Sequence, residues 1–462
     1  MVFSSLLFLA RFLPMTMLVY YLTPRRYKNF VLLVASLIFY SWGEVRYFPI
    51  MAASILVDFI ASNGIKKAGD NNTRRRGWLL VSVVFNLGML FFFKYTDFFI
   101  QNINSLFSLS IPYLKLTLPL GISFYTFQTM SYTIDVYRGK VEAENNIVDF
   151  GAFVALFPQL IAGPIVRYTD VNRELRDREV NPAQIQDGVK DFVLGLGRKV
   201  LIANNIGALW TQVEAMNYAD ISTPLAWLGI LAFSLQIYFD FSGYSLMAIG
   251  LGKMLGFNFP QNFNNPYISR SVTEFWRRWH MTLGSWFREY LYIPLGGNRC
   301  SKSRNMWNLF VVWAATGFWH GASWNFVLWG LYFFVFLVIE KNFLLPYLNK
   351  PTILSGVLSR VYIIPLLLIS WTLFAITDFA KLGDFFHTMF VWQGGNDWMY
   401  YLRNYAVVLV LGILLSTPIL SKINDRLGRL GWLQYVFYGV ITVVSVAYLV
   451  DATYNPFLYF RF

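Results

Sequence analysis

Long apolar stretches recur from one end of this 462-residue sequence to the other, and they constrain its fold more than any other feature. A helix needs about 20 residues to cross the hydrocarbon core of a bilayer, which is about 30 Å thick. Stretches of this length, or slightly shorter, lie near residues 5–23, 29–42, 47–62, 77–93, 147–166, 189–210, 223–256, 306–340, 360–378, 404–420 and 432–450. They predict an all-α, polytopic transmembrane protein with about ten apolar segments, some of which enter the membrane without crossing it.

The composition agrees with this class. Charged residues make up 14% of the chain and hydrophobic residues 56%, whereas a soluble domain carries roughly 25% charge. No Pro/Gly/Ser-rich linker or low-complexity block divides the sequence. We therefore expect one integral membrane domain over residues 1–462.

The net charge of +13 is concentrated in short loops between the apolar stretches. Four basic clusters are Arg25, Arg26 and Lys28; Lys66, Lys67, Arg74, Arg75 and Arg76; Arg299, Lys302 and Arg304; and Lys422, Arg426 and Arg429. Short Lys/Arg-rich loops mark the cytoplasmic side of a membrane. The first two clusters are separated by two predicted spans, which places both in the cytoplasm and the N-terminus outside. This placement favours contact with anionic lipid headgroups over nucleic-acid binding.

The residue inventory excludes several classes of site. Cys300 is the only cysteine, so the chain has no intramolecular disulfide and no thiolate metal site. Neither HExxH nor HxxxH occurs, and no GxSxG marks a hydrolase nucleophile. We expect no metal. The first apolar stretch contains Arg11 and lacks a clear cleavage site, which favours a retained span over a signal peptide.

Of the three histidines, His320 has the most unusual position. It is the only side chain that titrates near neutral pH in the stretch 306–339. As one helix this stretch would be about 50 Å long, so we expect a strong tilt, a kink, or two helices that meet near Gly317 and Gly321. A titratable group at such depth indicates a functional site. A neutral histidine that hydrogen-bonds between helices is the alternative.

His280 follows the string EFWRRW at residues 274–279. At helical spacing, Trp276, His280, Leu283 and Phe287 form one stripe, and the charged residues form the other face. The pattern predicts an amphipathic helix at the membrane interface, with His280 on its apolar side. An interfacial histidine packed among tryptophans is the alternative. His387 lies in a more polar stretch and receives no role.

Two further polar residues lie in apolar surroundings. Asp240 is followed by Ser242, Tyr244 and Ser245, which could satisfy it. Two interpretations of Asp240 stay open: it is a buried carboxylate that joins helices, or it has a direct functional role. Gln128 ends a hydroxyl-rich stretch that begins at Gly121, which could line a pore or form interhelical hydrogen bonds.

Several of these segments closely resemble the signatures of bacterial membrane-bound O-acyltransferases, in particular the branch that acetylates alginate. The matching segments are Phe157–Ile165, Tyr238–Ser245, Asn262–Tyr267, Glu274–Arg299, Thr316–Trp324 and Tyr454–Phe462. Ser123–Gly139 and the closing segment resemble the alginate branch, whereas D-alanyl-transferring members usually lack that ending and the PLGGNR turn at residues 294–299.

The resemblance implies a ring of helices around a funnel, with His320 as the catalytic histidine and His280 as the second polar residue beside it. Residues expected to line the pocket or funnel are Trp276, Arg277, Trp279, Trp319, Trp324, Asn325, Asp240 and Gln128. An imidazole has a pKa near neutrality, so it can deprotonate an acceptor hydroxyl as a general base. His280 could orient His320, hold the acceptor or donate to the oxyanion, and a covalent acetyl-histidine is a further route.

The resemblance also implies the substrates and partners. It predicts acetyl transfer from a cytoplasmic thioester, acetyl-CoA, towards an extracytoplasmic polysaccharide across a bacterial cell membrane, with no tightly bound cofactor. An extracytoplasmic acetyltransferase of the SGNH type is the expected partner. D-alanyl transfer from a carrier protein to teichoic acid is an alternative within the family. A transporter or flippase is the alternative from another class, but the halves show no matched interrupted helices.

Overall fold

The computed structural model describes residues 1–161, 163–429 and 431–451, and these form helices with no strand. Contacts divide the chain into two compact units. The first comprises Met1–Phe192 and Ser245–Pro260, and the second comprises Val193–Tyr244 and Gln261–Phe462. The closing segment at 454–462 lies outside the described residues, as does Ala162. The all-α class is confirmed, whereas the single domain and the ring with its funnel stay predictions.

The first unit contains eight α-helices and most of a ninth. They are α1 Leu13–Leu22, α2 Lys28–Glu44, α3 Phe48–Lys67, α4 Asn72–Phe107, α5 Ile122–Tyr137, α6 Ile147–Ala155, α7 Phe157–Leu160, α8 Tyr168–Arg176 and α9 Pro182–Gly197. The apolar stretch 147–166 forms only the short helices α6 and α7, so it does not make a helix long enough to cross a membrane.

The remaining helices belong to the second unit, except that the last turns of α11 lie in the first. They are α10 Asn204–Glu214, α11 Thr223–Met254, α12 Val272–Trp276, α13 Met281–Phe287, α14 Lys302–His320, α15 Trp324–Ile339, α16 Leu345–Leu348, α17 Ile353–Ala375, α18 Phe379–Phe390, α19 Asp397–Leu415, α20 Ile419–Arg429 and α21 Leu433–Asp451.

Eight helical stretches within the described ranges are long and apolar enough to cross a membrane. They are Arg25–Lys67, Asn72–Phe107, Pro182–Glu214, Thr223–Met254, Trp324–Leu348, Ile353–Ala375, Asp397–Leu415 and Leu433–Asp451. The first of them contains both α2 and α3, which a single 3₁₀ turn at Val45–Tyr47 separates. Large apolar side chains remain exposed along these stretches, among them Phe30, Val84, Val407 and Val443. A lipid environment would cover such surfaces.

The long stretch 306–340 is two helices, as its length required. Helix α14 ends at His320 and α15 begins at Trp324, and Gly321 between them is extended. Glycines let the two helices approach closely. A Cβ atom at Gly317 would overlap the carbonyl oxygen of Phe326, and one at Gly330 would overlap that of Trp313. This contact holds the end of α14, and therefore His320, against α15.

Candidate active site

His280 lies in a turn between two short helices rather than on one continuous helix. Helix α12 ends at Trp276 and α13 begins at Met281, so the prediction of an amphipathic helix over 274–288 is wrong. The reason is the backbone of His280 itself, which is left-handed with φ +43°. Residues other than glycine adopt this region uncommonly, and it interrupts helical hydrogen bonding.

The segment 262–264 holds this turn in place. Met281 N–H donates to the Asn262 carbonyl oxygen at 2.9 Å, and Asn264 N–H donates to the Arg278 carbonyl oxygen at 2.9 Å. The sequence pattern could not reveal these bonds, because they join residues that are more than a dozen positions apart. The turn therefore depends on its tertiary context, which supports a strained conformation at this position.

The imidazole of His280 is buried and pairs with Asn262. Its Nδ1 lies 3.1 Å from Asn262 Oδ1, and the rings of Phe241 and Phe263 lie 4.8 Å and 6.5 Å away by centroid. Burial lowers the pKa of His280 to about 3, because a charged imidazolium loses its hydration there. His280 is therefore neutral at physiological pH.

His320 lies among three aromatic rings at the end of α14. The ring centroids of Trp319, Trp329 and Phe374 lie 5.0, 4.9 and 5.3 Å from that of His320. The residue is 7% exposed. Rings at these distances, meeting edge to face, fix the orientation of an imidazole.

Trp319 brings the two histidines together. Its ring centroid lies 6.2 Å from that of His280 and 5.0 Å from that of His320, so the imidazoles are separated by no more than the sum of these distances. Both residues come from the second unit. The two histidines that the resemblance pairs are 40 positions apart in sequence, and both lie close to the ring of Trp319.

A cavity of about 440 Å³ adjoins His280. Its lining includes Trp276, Arg277 and Arg288, together with residues of α13 and α14. Neither of the two guanidinium groups has an ion-pair partner among the described residues. His320 does not line this cavity. The arrangement offers unpaired positive charge to an anionic ligand beside a neutral histidine.

The other residues expected to line a pocket lie in varied settings. Trp279 is buried against Phe275 and Trp371, and Trp324 is half exposed at the start of α15. Asn325 is buried and donates from Nδ2 to the Leu373 carbonyl oxygen at 3.0 Å, which joins α15 to α17. Gln128 is fully buried in α5 of the first unit, and its side chain has no hydrogen-bond partner among the described residues.

Asp240 forms a buried ion pair. Lys199 Nζ, from the π-helical turn Arg198–Ala203, lies 2.5 Å from Asp240 Oδ1. Ser242 and Ser245 do not satisfy this carboxylate, as their hydroxyl groups have no hydrogen-bond partner among the described residues. For these two hydroxyl groups the expectation is wrong, because a lysine outside the local sequence pairs with the carboxylate. The pair joins α11 to the turn that follows α9.

Gly321 allows close packing against Phe326 and does not border an open space. A Cβ atom at this position would overlap the ring of Phe326. A leucine at position 321 is therefore expected to disturb the packing of α15 against the end of α14. The gap that the glycines leave beside His320 is already occupied by the first turn of α15.

Sequence reasoning missed three residues of this region: Asn262, Lys199 and Arg288. Asn262 lies in the segment NFNNPY at 262–267, whose only signal in the sequence is its resemblance to the family. At helical spacing Arg288 belongs to the charged face of the predicted continuous helix. The turn at His280 rotates α13 relative to that helix, so the predicted faces no longer apply.

The long apolar helices define a membrane protein, and sequence similarity identifies its class. The sequence profile of the membrane-bound O-acyltransferase family matches residues 143–352, and the chain belongs to this family. It is an acyltransferase.

Its relatives extend the match over the full chain. The protein named "Probable alginate O-acetylase AlgI" of Azotobacter vinelandii is 38% identical and aligned over 100% of both chains. The protein of the same name in Pseudomonas aeruginosa is 42% identical over 85% of this chain and 76% of its own. The "Peptidoglycan O-acetyltransferase" of Helicobacter pylori is 36% identical over 74% of this chain and 71% of its own.

Proposed function

We propose that this enzyme transfers acetyl from cytoplasmic acetyl-CoA towards hydroxyl groups of an extracytoplasmic cell-surface polysaccharide. The observation that carries the proposal is that two buried histidines contact Trp319 beside a cavity lined by two arginines. The names of the relatives, which act on alginate and peptidoglycan, support acetyl as the group and a polysaccharide as the acceptor.

The cavity suits a coenzyme A thioester. Guanidinium groups bind phosphate oxygens through two parallel hydrogen bonds, and Arg277 and Arg288 are available for this. Trp276 also lines the cavity, and its buried indole N–H has no hydrogen-bond partner among the described residues. This N–H can donate to the thioester carbonyl oxygen, on which negative charge develops during attack.

The transfer itself needs a base. His320 accepts the proton of the attacking hydroxyl as the oxygen forms its bond to the acetyl carbon. The tetrahedral intermediate then expels the coenzyme A thiolate, which takes up the proton. The attacking hydroxyl belongs to a partner acetyltransferase of the SGNH type outside the membrane, and the acetyl ester formed on that partner is then transferred to a hydroxyl group of the polymer, which releases the partner's hydroxyl.

Membrane vesicles with the cytoplasmic face outward test the donor. We expect acetyl-labelled acetyl-CoA to label the acceptor hydroxyls or the partner enzyme, whereas a D-alanyl carrier protein should not. Replacing Arg277 or Arg288 with alanine should raise KM for acetyl-CoA about tenfold, because each removes charged hydrogen bonds to phosphate.

Arg299→Ala is the matched control. It removes the same charge from an exposed arginine that does not line the cavity. If the cavity variants and this control have equal KM values, the cavity is not the donor site. Labelling from the D-alanyl carrier alone would contradict acetyl transfer.

A second experiment tests the orientation. We expect the turn at Val45–Tyr47 outside the cell and the loop around Asp70 in the cytoplasm, since the basic residues flank the latter. Single cysteines at Val45 and Asp70, each in a Cys300→Ser background, should react differently with an impermeant maleimide. Val45 is 75% exposed, so its cysteine should label in intact cells. Labelling at position 70 instead would reverse the topology.

A further inference from the structure

The side-chain oxygen of Asn262 accepts three hydrogen bonds. Oδ1 lies 3.1 Å from His280 Nδ1, 3.3 Å from the backbone nitrogen of Thr282 and 2.9 Å from the Thr282 hydroxyl oxygen. The residue is 1% exposed. Its Nδ2 has no hydrogen-bond partner among the described residues. The amide is therefore held through its oxygen alone.

The Thr282 backbone contact decides which way the amide faces. A backbone N–H can only donate, so the atom opposite it must be the carbonyl oxygen and not the amide nitrogen. A carbonyl oxygen can only accept. It follows that His280 Nδ1, which faces the same oxygen, must carry the proton of the neutral ring.

We infer that Asn262 is a positioning residue that fixes His280 in the Nδ1–H tautomer, so that in acyl transfer His280 accepts a hydrogen bond from the acceptor hydroxyl through the lone pair of Nε2. The inference rests on the proposed function for the role in transfer, but not for the tautomer. A neutral ring has one N–H, and here Asn262 accepts it. His280 therefore cannot donate to the oxyanion of the intermediate, and this leaves that role to another donor such as Trp276.

The surroundings of His280 stabilise the neutral form of its imidazole. The rings of Phe241 and Phe263 cover the imidazole, and burial favours the neutral state. The charged groups that share its cavity are Arg277 and Arg288, both of which disfavour a second proton. Among the residues that the structure describes, no carboxylate lines the cavity to favour that second proton.

The backbone adds a second link between the two residues. Asn262 accepts from Met281 N–H through its carbonyl oxygen, next to the left-handed residue His280. Main chain and side chain of one asparagine thus fix both the turn and the ring.

Nitrogen NMR of histidine-labelled protein tests the tautomer directly. The chain has only three histidines, so His320→Gln and His387→Gln variants assign all the signals. We expect His280 Nδ1 to resonate as a protonated, pyrrole-like nitrogen and Nε2 as a pyridine-like one, unchanged between about pH 5 and 8. A protonated Nε2 in the wild-type protein, or titration near pH 6.5, would overturn the inference.

Two substitutions at Asn262 separate orientation from folding. Asn262→Asp keeps an acceptor for Nδ1–H and for Thr282, so the tautomer should persist. The added carboxylate should move the acid limb of the pH–rate profile upward, since it raises the basicity of Nε2. Asn262→Leu has similar size and no acceptor. We expect it to lose the tautomer preference and to lower kcat about 10²-fold, with KM for acetyl-CoA unchanged.

The outcomes distinguish the two proposals. If Asn262→Leu keeps the Nδ1–H tautomer and the wild-type kcat, Asn262 does not position His280. If the tautomer is as expected but no acetyl moves from acetyl-CoA, the donor assignment fails and the tautomer assignment stands. A changed tautomer in Asn262→Leu, together with the shifted acid limb in Asn262→Asp, is the result that a merely structural asparagine does not produce.

Discussion

Replacing His320 with alanine is expected to lower acyl transfer at least about 10²-fold while the protein still accumulates in the membrane. A positioned general base contributes typically about 10²–10⁴-fold to rate. His320→Gln should have a similar effect on transfer. It keeps the approximate size of the side chain among Trp319, Trp329 and Phe374, so lost packing does not explain the defect. The measurement is the transfer rate from labelled acetyl-CoA at equal amounts of membrane protein.

His387→Ala is the control for this prediction. His387 lies exposed in the last turn of α18 and has no proposed role, so its replacement should leave the rate within about twofold, as surface substitutions usually do. Wild-type transfer by the His320→Gln variant would remove His320 from the reaction as a base. The histidine pair would then be a structural feature of the second unit.

Replacing Lys199 with methionine is expected to destabilise the protein by about 3–5 kcal/mol, since it leaves the Asp240 carboxylate buried without its cation. The side chains of Lys199 and Asp240 are 1% and 3% exposed. Adding Asp240→Leu to this variant should restore much of the loss, because an apolar pair of similar volume can replace a buried ion pair. Unfolding in detergent, followed by tryptophan fluorescence, measures both effects.

The chain offers a matched pair for comparison. Lys253 Nζ lies 2.7 Å from Asp191 Oδ2, with side chains 31% and 23% exposed. Lys253→Met should cost only about 1 kcal/mol or less, because solvent screens a pair of this exposure. Equal losses for the two lysine variants would show that burial does not set the strength of the Lys199–Asp240 pair.

The sequence predicts features that depend on one segment at a time. Apolar length predicts the helices, and the length of the stretch 306–340 predicts the break that the structure shows after His320. The resemblance predicts that His280 and His320 act together. In the structure both rings lie close to the ring of Trp319. Their catalytic roles stay predictions.

Contacts between segments that are far apart in sequence cannot be predicted in this way. The pattern around His280 is helical, but hydrogen bonds from residues 262–264 replace the helix by a turn. Asp240 has hydroxyl groups nearby in sequence, yet a lysine some 40 residues earlier pairs with it. The space beside Gly321 is filled by Phe326, which the sequence places only five residues away but on another helix. In each case tertiary contacts override the local pattern.

The left-handed backbone at His280 has a consequence for anyone who redesigns this protein. At φ +43° glycine is free of steric strain and asparagine tolerates the conformation well, whereas histidine does so at a cost of roughly 1–3 kcal/mol. A sequence chosen for thermostability alone would therefore place one of those two residues at position 280. Consensus or computational stabilisation should hold this position fixed, because the substitution that most relieves the backbone also removes an imidazole from the catalytic candidate pair.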